Sequence, residues 1–157
     1  MGSTILVTGA TGNVGREVIN ALIEDDHPMI AAVKDEKDDT RIRAEHNGTA
    51  AHQRIETRRF RFGDEATYAP ALEGVDKLFL MRPPQIADVK RKLFPVIDRA
   101  RDVGVEQIAF LSLLGVERNP VVPHHKVEAY LKASGVPFTF LRPSFYMQNL
   151  NTTHQAE

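Results

Sequence analysis

Residues 4–18, Thr4-Ile5-Leu6-Val7-Thr8-Gly9-Ala10-Thr11-Gly12-Asn13-Val14-Gly15-Arg16-Glu17-Val18, constrain this chain more than any other stretch. A short apolar run from Ile5 to Thr8 passes straight into three glycines spaced by three. An amphipathic run follows at once, with Val14, Val18 and Leu22 four apart. The pattern predicts a strand, a tight turn and a helix. Gly9 lets the chain leave the strand in a backbone conformation most residues avoid. Gly12 lets backbone N–H groups of the turn approach an anion, and Gly15, one turn into the helix, lets helix and strand pack closely. The first helical N–H groups have no internal partners and carry partial positive charge, so a pyrophosphate fits beside Asn13 and Val14. Thr8 and Thr11 bring hydroxyls to the same turn. Evenly spaced glycines also make plain structural turns, but this set stands directly after the first strand of the chain, where a nucleotide-binding turn belongs.

The helix is expected from Asn13 to about Glu24, stopped by Asp25-Asp26-His27-Pro28, because proline disfavours helix at the residue before it. Met29 to Val33 is a continuous apolar run, the mark of a parallel strand buried on both faces. Residues 4–33 thus read as one βαβ unit. Its second strand ends in Lys34-Asp35, where such a unit reads the adenosine ribose. An acid there suits a free 2′-hydroxyl and a basic residue suits a 2′-phosphate. Lys34 comes first, with Arg41 and Arg43 in the same loop, so the reading leans to NADP over NAD, provided Asp35 turns away. Against it stands a solvated loop over residues 34–54 whose charges face water.

Further along, residues 40–53 are polar and read as loop or frayed helix. Arg58-Arg59-Phe60-Arg61-Phe62 alternates into an outer strand with one covered face. Basic residues between aromatics also suit single-stranded nucleic acid. However, 20 Lys and Arg against 21 Asp and Glu give no net positive field, and nucleic acid and anionic membrane are set aside. Asp64 is placed to bond the adenine amino group or to cap the next short helix. Lys77 to Met81 reads as the fourth strand, followed by the rigid loop Arg82-Pro83-Pro84. A helical stripe from Ala87 to Val103 contains Pro95, which should kink it. Gln107 to Leu111 is the fifth strand, ending in Ser112. His124 to Ser134 is a helix with Val127 and Leu131 on one face and an exposed Glu128–Lys132 pair. Phe138 to Leu141 is the sixth strand, ending in Arg142-Pro143.

Strands alternating with helices imply an α/β fold, a Rossmann-type doubly wound parallel sheet in three αβα layers, with fold analogy giving the order 3-2-1-4-5-6. The 157 residues are expected to form a single domain. Absence of cysteine excludes disulfides, thiolate metal sites and thiol nucleophiles. No apolar run approaches the roughly 20 residues of a membrane helix, and no signal peptide precedes the first strand, so a cytoplasmic protein is expected. Homo-oligomerisation is left open.

Several segments together resemble the NmrA-like, atypical short-chain dehydrogenase/reductase family: Thr8 to Gly15; Leu72-Glu73-Gly74-Val75-Asp76; and Ser134 to Pro143 with Met147-Gln148-Asn149-Leu150. The resemblance covers essentially the whole chain. It implies an NAD(P)-binding fold and either reduction of quinones, azo dyes and related small molecules or a redox-sensing regulatory role. By position, the glycine loop would hold the pyrophosphate, Lys34 the 2′-phosphate, and Asp64 would lie near adenine. Met81-Arg82-Pro83 would approach the adenosine side and nearby ribose, Ser112 the nicotinamide ribose, and Pro143 the nicotinamide. Phe145 and Tyr146 would line the substrate pocket.

Two departures stand out. The short-chain dehydrogenase pair Tyr-x-x-x-Lys is missing: Leu72, Ser134 and Leu150 lie four residues after Tyr68, Tyr130 and Tyr146. The corresponding helix begins His124-His125-Lys126-Val127-Glu128, similar to the His-x-x-x-Glu of many family members. His124 is therefore the candidate proton donor, with Ser112 a weaker catalytic candidate; a polar helix start at the surface is the alternative. Adjacent histidines do not readily point at one ion, and with no third ligand evident no metal site is expected. Secondly, family members continue past the sixth strand into segments that wall off the substrate pocket, so this chain is expected to be the cofactor-binding part of a longer fold. The expected function is hydride transfer from NAD(P)H to a small planar acceptor; the alternatives are a dinucleotide-sensing regulator with a protein partner, or a chain that binds cofactor and catalyses nothing.

Overall fold

In the computed structural model, which describes residues 2–46 and 55–144, the chain forms one six-stranded parallel sheet. In chain order the strands are β1 (Ile5–Val7), β2 (Met29–Val33), β3 (Ile55–Arg59), β4 (Lys77–Met81), β5 (Gln107–Leu111) and β6 (Phe138–Leu141). Their spatial order is β3-β2-β1-β4-β5-β6, as expected. The helices are α1 (Asn13–Glu24), α2 (Glu36–Glu45), α3 (Tyr68–Leu72), α4 (Val89–Lys92), α5 (Phe94–Asp102) and α6 (Pro123–Ser134).

Strand alternation divides the core into two layers. Leu6, Ile30, Leu78, Leu80, Ile108 and Phe110 point to one face and pack with α3 to α6. Val7, Ala31, Val33 and Phe79 point to the other and pack with α1 and α2. All five residues of β2 are buried, which explains its unbroken apolar run. β1 pairs with β2 on one side and β4 on the other. The connections after β1 and β4 therefore run in opposite directions, and a crevice opens between the carboxyl ends of these strands.

Three expectations change. Residues 36–45 form a regular, capped helix, where the expectation is a solvated loop from 34 or, over 40–53, loop or frayed helix. Asp35 accepts the Asp38 N–H at 3.0 Å as the N-cap, Ile42 is buried, and Asp39–Arg43 and Arg41–Glu45 pair one turn apart. The rest of the 40–53 stretch, 47–53, falls outside the described residues. β3 runs from Ile55 to Arg59, three residues earlier than the Arg58–Phe62 alternation implies, because its partner β2 ends at Val33. The bond from Phe60 N–H to Val33 O, 2.8 Å, is the last across that pair. Phe60 still enters the core, edge-on to Phe62 at 5.0 Å. Pro95 does more than kink its helix. The chain divides at Leu93 into α4 and α5, with Pro95 in the first turn of α5, where a missing N–H costs nothing.

Among the described residues no helix is long and apolar enough to cross a membrane, and no cluster of three His, Cys, Asp or Glu is placed to hold a metal ion.

Candidate functional site

The turn after β1 does what its glycines imply. Gly9 has φ +66°, and a Cβ there would stand 2.1 Å from the Met81 methyl. A Cβ on Gly15 would stand 2.1 Å from the Gly9 carbonyl oxygen and 3.0 Å from Ala10 Cα, so α1 lies directly on the turn. Gly12 is the N-cap of α1 in extended conformation, and no side chain caps that end. Gly12 N–H is taken by Gly9 O at 2.9 Å, and the first helical bond runs from Arg16 N–H to Gly12 O at 3.0 Å. The N–H groups of Asn13, Val14 and Gly15 are left pointing out of the helix end, a cradle suited to an anion. Thr11 stands half-buried beside it. Thr8 does not serve there. It is buried, and its hydroxyl donates to Phe79 O at 3.0 Å and accepts Met81 N–H at 2.8 Å, fastening the turn to β4.

From this turn a cleft of about 540 Å³ runs across the carboxyl ends of β4 and β5, a size suited to part of a cofactor. Asn13, Val14, Met81, Arg82, Ser112 and His124 line it, with Glu17, Pro84, Leu111 and Leu113. Pro83 lies in the adjoining loop, where its carbonyl accepts from Arg82 Nη1 at 3.2 Å. Pro143 follows β6, its carbonyl taking the Leu114 N–H at 3.2 Å. Phe145 and Tyr146 fall outside the described residues.

His124 is not a surface residue. It is buried at the start of α6, and its Nε2 accepts from Arg82 Nε–H at 3.5 Å. That bond places the proton of the neutral ring on Nδ1. Burial, reinforced by the Arg82 charge and only partly opposed by Glu128, lowers the His124 pKa to about 4. Titration near neutrality, expected of an open histidine, is thus lost, and at pH 7 the ring is an uncharged polar group. Burial likewise lowers the Arg82 pKa, and its Nη1 also donates to Pro84 O and Ile86 O, which fixes it in the cleft wall.

Glu128 is also misread by its spacing to Lys132. Its side chain is 3% exposed and faces inward, accepting from Ser112 Oγ at 2.6 Å and from Arg142 through Nε at 2.9 Å and Nη2 at 2.6 Å. Burial alone would raise its pKa, but the bonds from Arg142 and Ser112 outweigh that and hold the carboxyl below its ordinary value. The buried residues of α6 are His124, Val127, Glu128 and Leu131, at i, i+3, i+4 and i+7. That helical stripe was visible in the sequence and puts histidine and glutamate on one inward face.

A second recess lies at the ends of β2 and β3, lined by Lys34, Asp35, Glu36, Asp39, Arg43, Thr57, Arg59 and Arg61. Asp35 is turned into its cap, as a phosphate here would require. Lys34 is well exposed and makes a loose 3.5 Å pair with Asp38. Arg41 and Arg43 are engaged with Glu45 and Asp39, and Arg43 also donates to Thr57 at 2.9 Å. The cations that reading by proximity missed are Arg59 and Arg61. They reach the recess from β3 and its following turn, and their guanidinium groups have no partner among the described residues. Asp64 sits at the N-cap of a short 3₁₀ turn (Glu65–Thr67), but its carboxylate makes no cap bond; its carbonyl oxygen accepts from Thr67 instead.

The model of the NmrA-like family matches residues 1–157. The chain belongs to that family. It is 34% identical to quinone oxidoreductase 2 of Escherichia coli over 92% of this chain and 50% of that protein. It is 32% identical to the NAD(P)H azoreductase of Xenophilus azovorans, over 97% of this chain and 51% of that one. The crystal structure of an NADPH-dependent quinone oxidoreductase from Escherichia coli complexed with NADPH superposes with a TM-score of 0.81 at 32% identity, covering 95% of this chain and 52% of that one. The chain thus spans about half the length of these relatives.

Proposed function

We propose that the chain binds NADPH and serves NAD(P)H-dependent reduction of a small planar acceptor such as a quinone or azo compound. The observation that carries this is continuity. One carboxyl edge of the sheet holds a recess where Lys34, Arg43, Arg59 and Arg61 stand among three carboxylates, an uncapped helix N-terminus, and a largely apolar cleft bordered by Arg82, Ser112 and His124, in that order. A dinucleotide has the matching sequence of phosphate-bearing ribose, pyrophosphate and nicotinamide. The names of the quinone and azo reductase relatives, and the NADPH in the related crystal structure, support the same reading.

In this reading Lys34, with Arg59 and Arg61, meets the 2′-phosphate, and Asp64 lies near adenine. The N–H groups at Asn13, Val14 and Gly15 hold the pyrophosphate, with Gly9, Gly12 and Thr11 shaping the turn. Met81, Arg82 and Pro83 border the ribose, and Ser112 and Pro143 lie at the nicotinamide end. NADPH supplies the hydride. The chain's own contribution is to orient and to limit water. Ser112 and His124 border the acceptor position as uncharged polar groups, with the His124 proton held on Nδ1, and Phe145 and Tyr146 are assigned to the acceptor pocket.

NADPH and NADH titrations followed by fluorescence, then NADPH oxidation with a quinone, test the reading. Submicromolar to micromolar NADPH binding with turnover is expected. No dinucleotide binding at millimolar concentration overturns it, and NADPH binding without turnover would point instead to a dinucleotide-sensing protein.

A further inference from the structure

Ser112 is 1% exposed yet forms part of the cleft wall, and its hydroxyl is committed to Glu128. A serine has one proton to give and two lone pairs. The nearest oxygen is Glu128 Oε1 at 2.6 Å, and that carboxylate is bound through both oxygens by Arg142, a two-point grip that favours the ionised form. An ionised carboxylate accepts and cannot donate, so the Ser112 proton has to point at Glu128. The backbone supports the same geometry, because Ser112 N–H donates to Leu141 O at 2.7 Å. Arg142 is itself steadied by Glu117 at 3.5 Å and lies over the Phe140 ring.

We propose that Glu128 is a positioning residue that sets the polarity of Ser112, so that Ser112 offers the cleft lone pairs only and accepts a hydrogen bond from the nicotinamide half of NADPH, at a carboxamide N–H or a ribose hydroxyl. The proposal rests on the NADPH reading above. It differs from a plain structural role, in which the Glu128–Arg142 pair ties α6 to the end of β6 and Ser112 merely fills space. Without the carboxylate the hydroxyl is free to rotate its proton toward the cleft and meet the ligand donor head-on.

The test is a double-variant cycle on the full chain with Ser112→Ala, Glu128→Gln and the pair, each checked for folding by thermal unfolding. Each is titrated with NADPH and with 2′,5′-ADP, a fragment that lacks the nicotinamide half. Ser112→Ala should weaken NADPH roughly three- to tenfold, the range of one net hydrogen bond. Glu128→Gln should weaken it similarly, the pair should be no weaker than either single variant, and 2′,5′-ADP should bind all four proteins alike. Losses that multiply in the pair, or that extend equally to 2′,5′-ADP, overturn the proposal. Ser112→Ala removes a single oxygen and carries the test alone if Glu128→Gln does not fold; unchanged NADPH affinity there overturns it. If the wild-type chain binds 2′,5′-ADP and NADPH while Ser112→Ala is silent, the positioning role fails and the function stands. If the wild type binds neither, the function fails and the proposal with it.

Discussion

Gly15→Ala adds one carbon where the structure has least room. The new Cβ would lie 2.1 Å from Gly9 O and 2.7 Å from Gly9 C, both backbone atoms that no rotamer change can move. Ordinary contact begins at 3.4 Å, so α1 and the turn have to separate by about 1.3 Å. Overpacking of this kind costs about 1–3 kcal/mol. Alanine returns about 1 kcal/mol of helix propensity, which leaves a net destabilisation of roughly 0–2 kcal/mol. Binding should suffer more. A separation of 1 Å or more takes the N–H groups of the helix end out of hydrogen-bonding range of a phosphate held by the turn. Two charge-assisted bonds at about 1.5 kcal/mol each amount to about 3 kcal/mol, a loss of roughly a hundredfold in NADPH affinity. Fluorescence titration with NADPH, alongside thermal unfolding, reads both quantities. An affinity within twofold of wild type at unchanged Tm would refute the contact between α1 and the Gly9 carbonyl.

Three other outcomes follow from the site. Lys34→Ala and Arg61→Ala should each weaken NADPH roughly two- to fivefold and leave NADH unaffected, with the difference shrinking at high salt; equal losses for both cofactors would remove the 2′-phosphate assignment. Asp35→Ala should have effects of opposite sign, lowering Tm by about 2–4 °C through loss of the cap while raising the NADPH-over-NADH preference, because a negative charge leaves the recess. His124 has a folded pKa of about 4, below its unfolded value, so its contribution to stability is complete above pH 6.5 and is lost as pH falls from there toward 4. In chemical unfolding from pH 7 to pH 4, His124→Gln should therefore lose less stability than wild type, by roughly 3 kcal/mol at most.

The sheet order and the glycine turn were legible because each is written locally. Short apolar runs alternate with helical stripes, and Gly9 and Gly15 occupy positions that a Cβ would fill. What the sequence concealed was the direction of polar side chains. Glu128 and Lys132 are correctly spaced for an exposed pair, but the same spacing puts Glu128 on the stripe of Val127 and Leu131, and only the position of Arg142 and Ser112 decides between them. Arg41 and Arg43 lie near Lys34 in the chain and proved to be tied to their own helix, whereas Arg59 and Arg61 reach the recess through pairing of β3 with β2. Helix α2 is legible only as loop or frayed helix, and from residue 40, because it has little apolar stripe to betray it; Ile42 alone is buried, and the cap and ion pairs do the rest.

The fastening of Thr8 to Phe79 and Met81 has a bearing on assembly of the chain in time. β1 lies at the middle of the sheet, and its partner β4 is contributed some seventy residues later. The β1–β2 unit can form from neighbouring sequence, but the cleft has no floor until β4 docks and Met81 comes under Gly9. Closing so long a loop delays such contacts relative to local ones. The cleft is therefore a seam between an early-built and a late-built part of the molecule, and its completion can report that the two have joined.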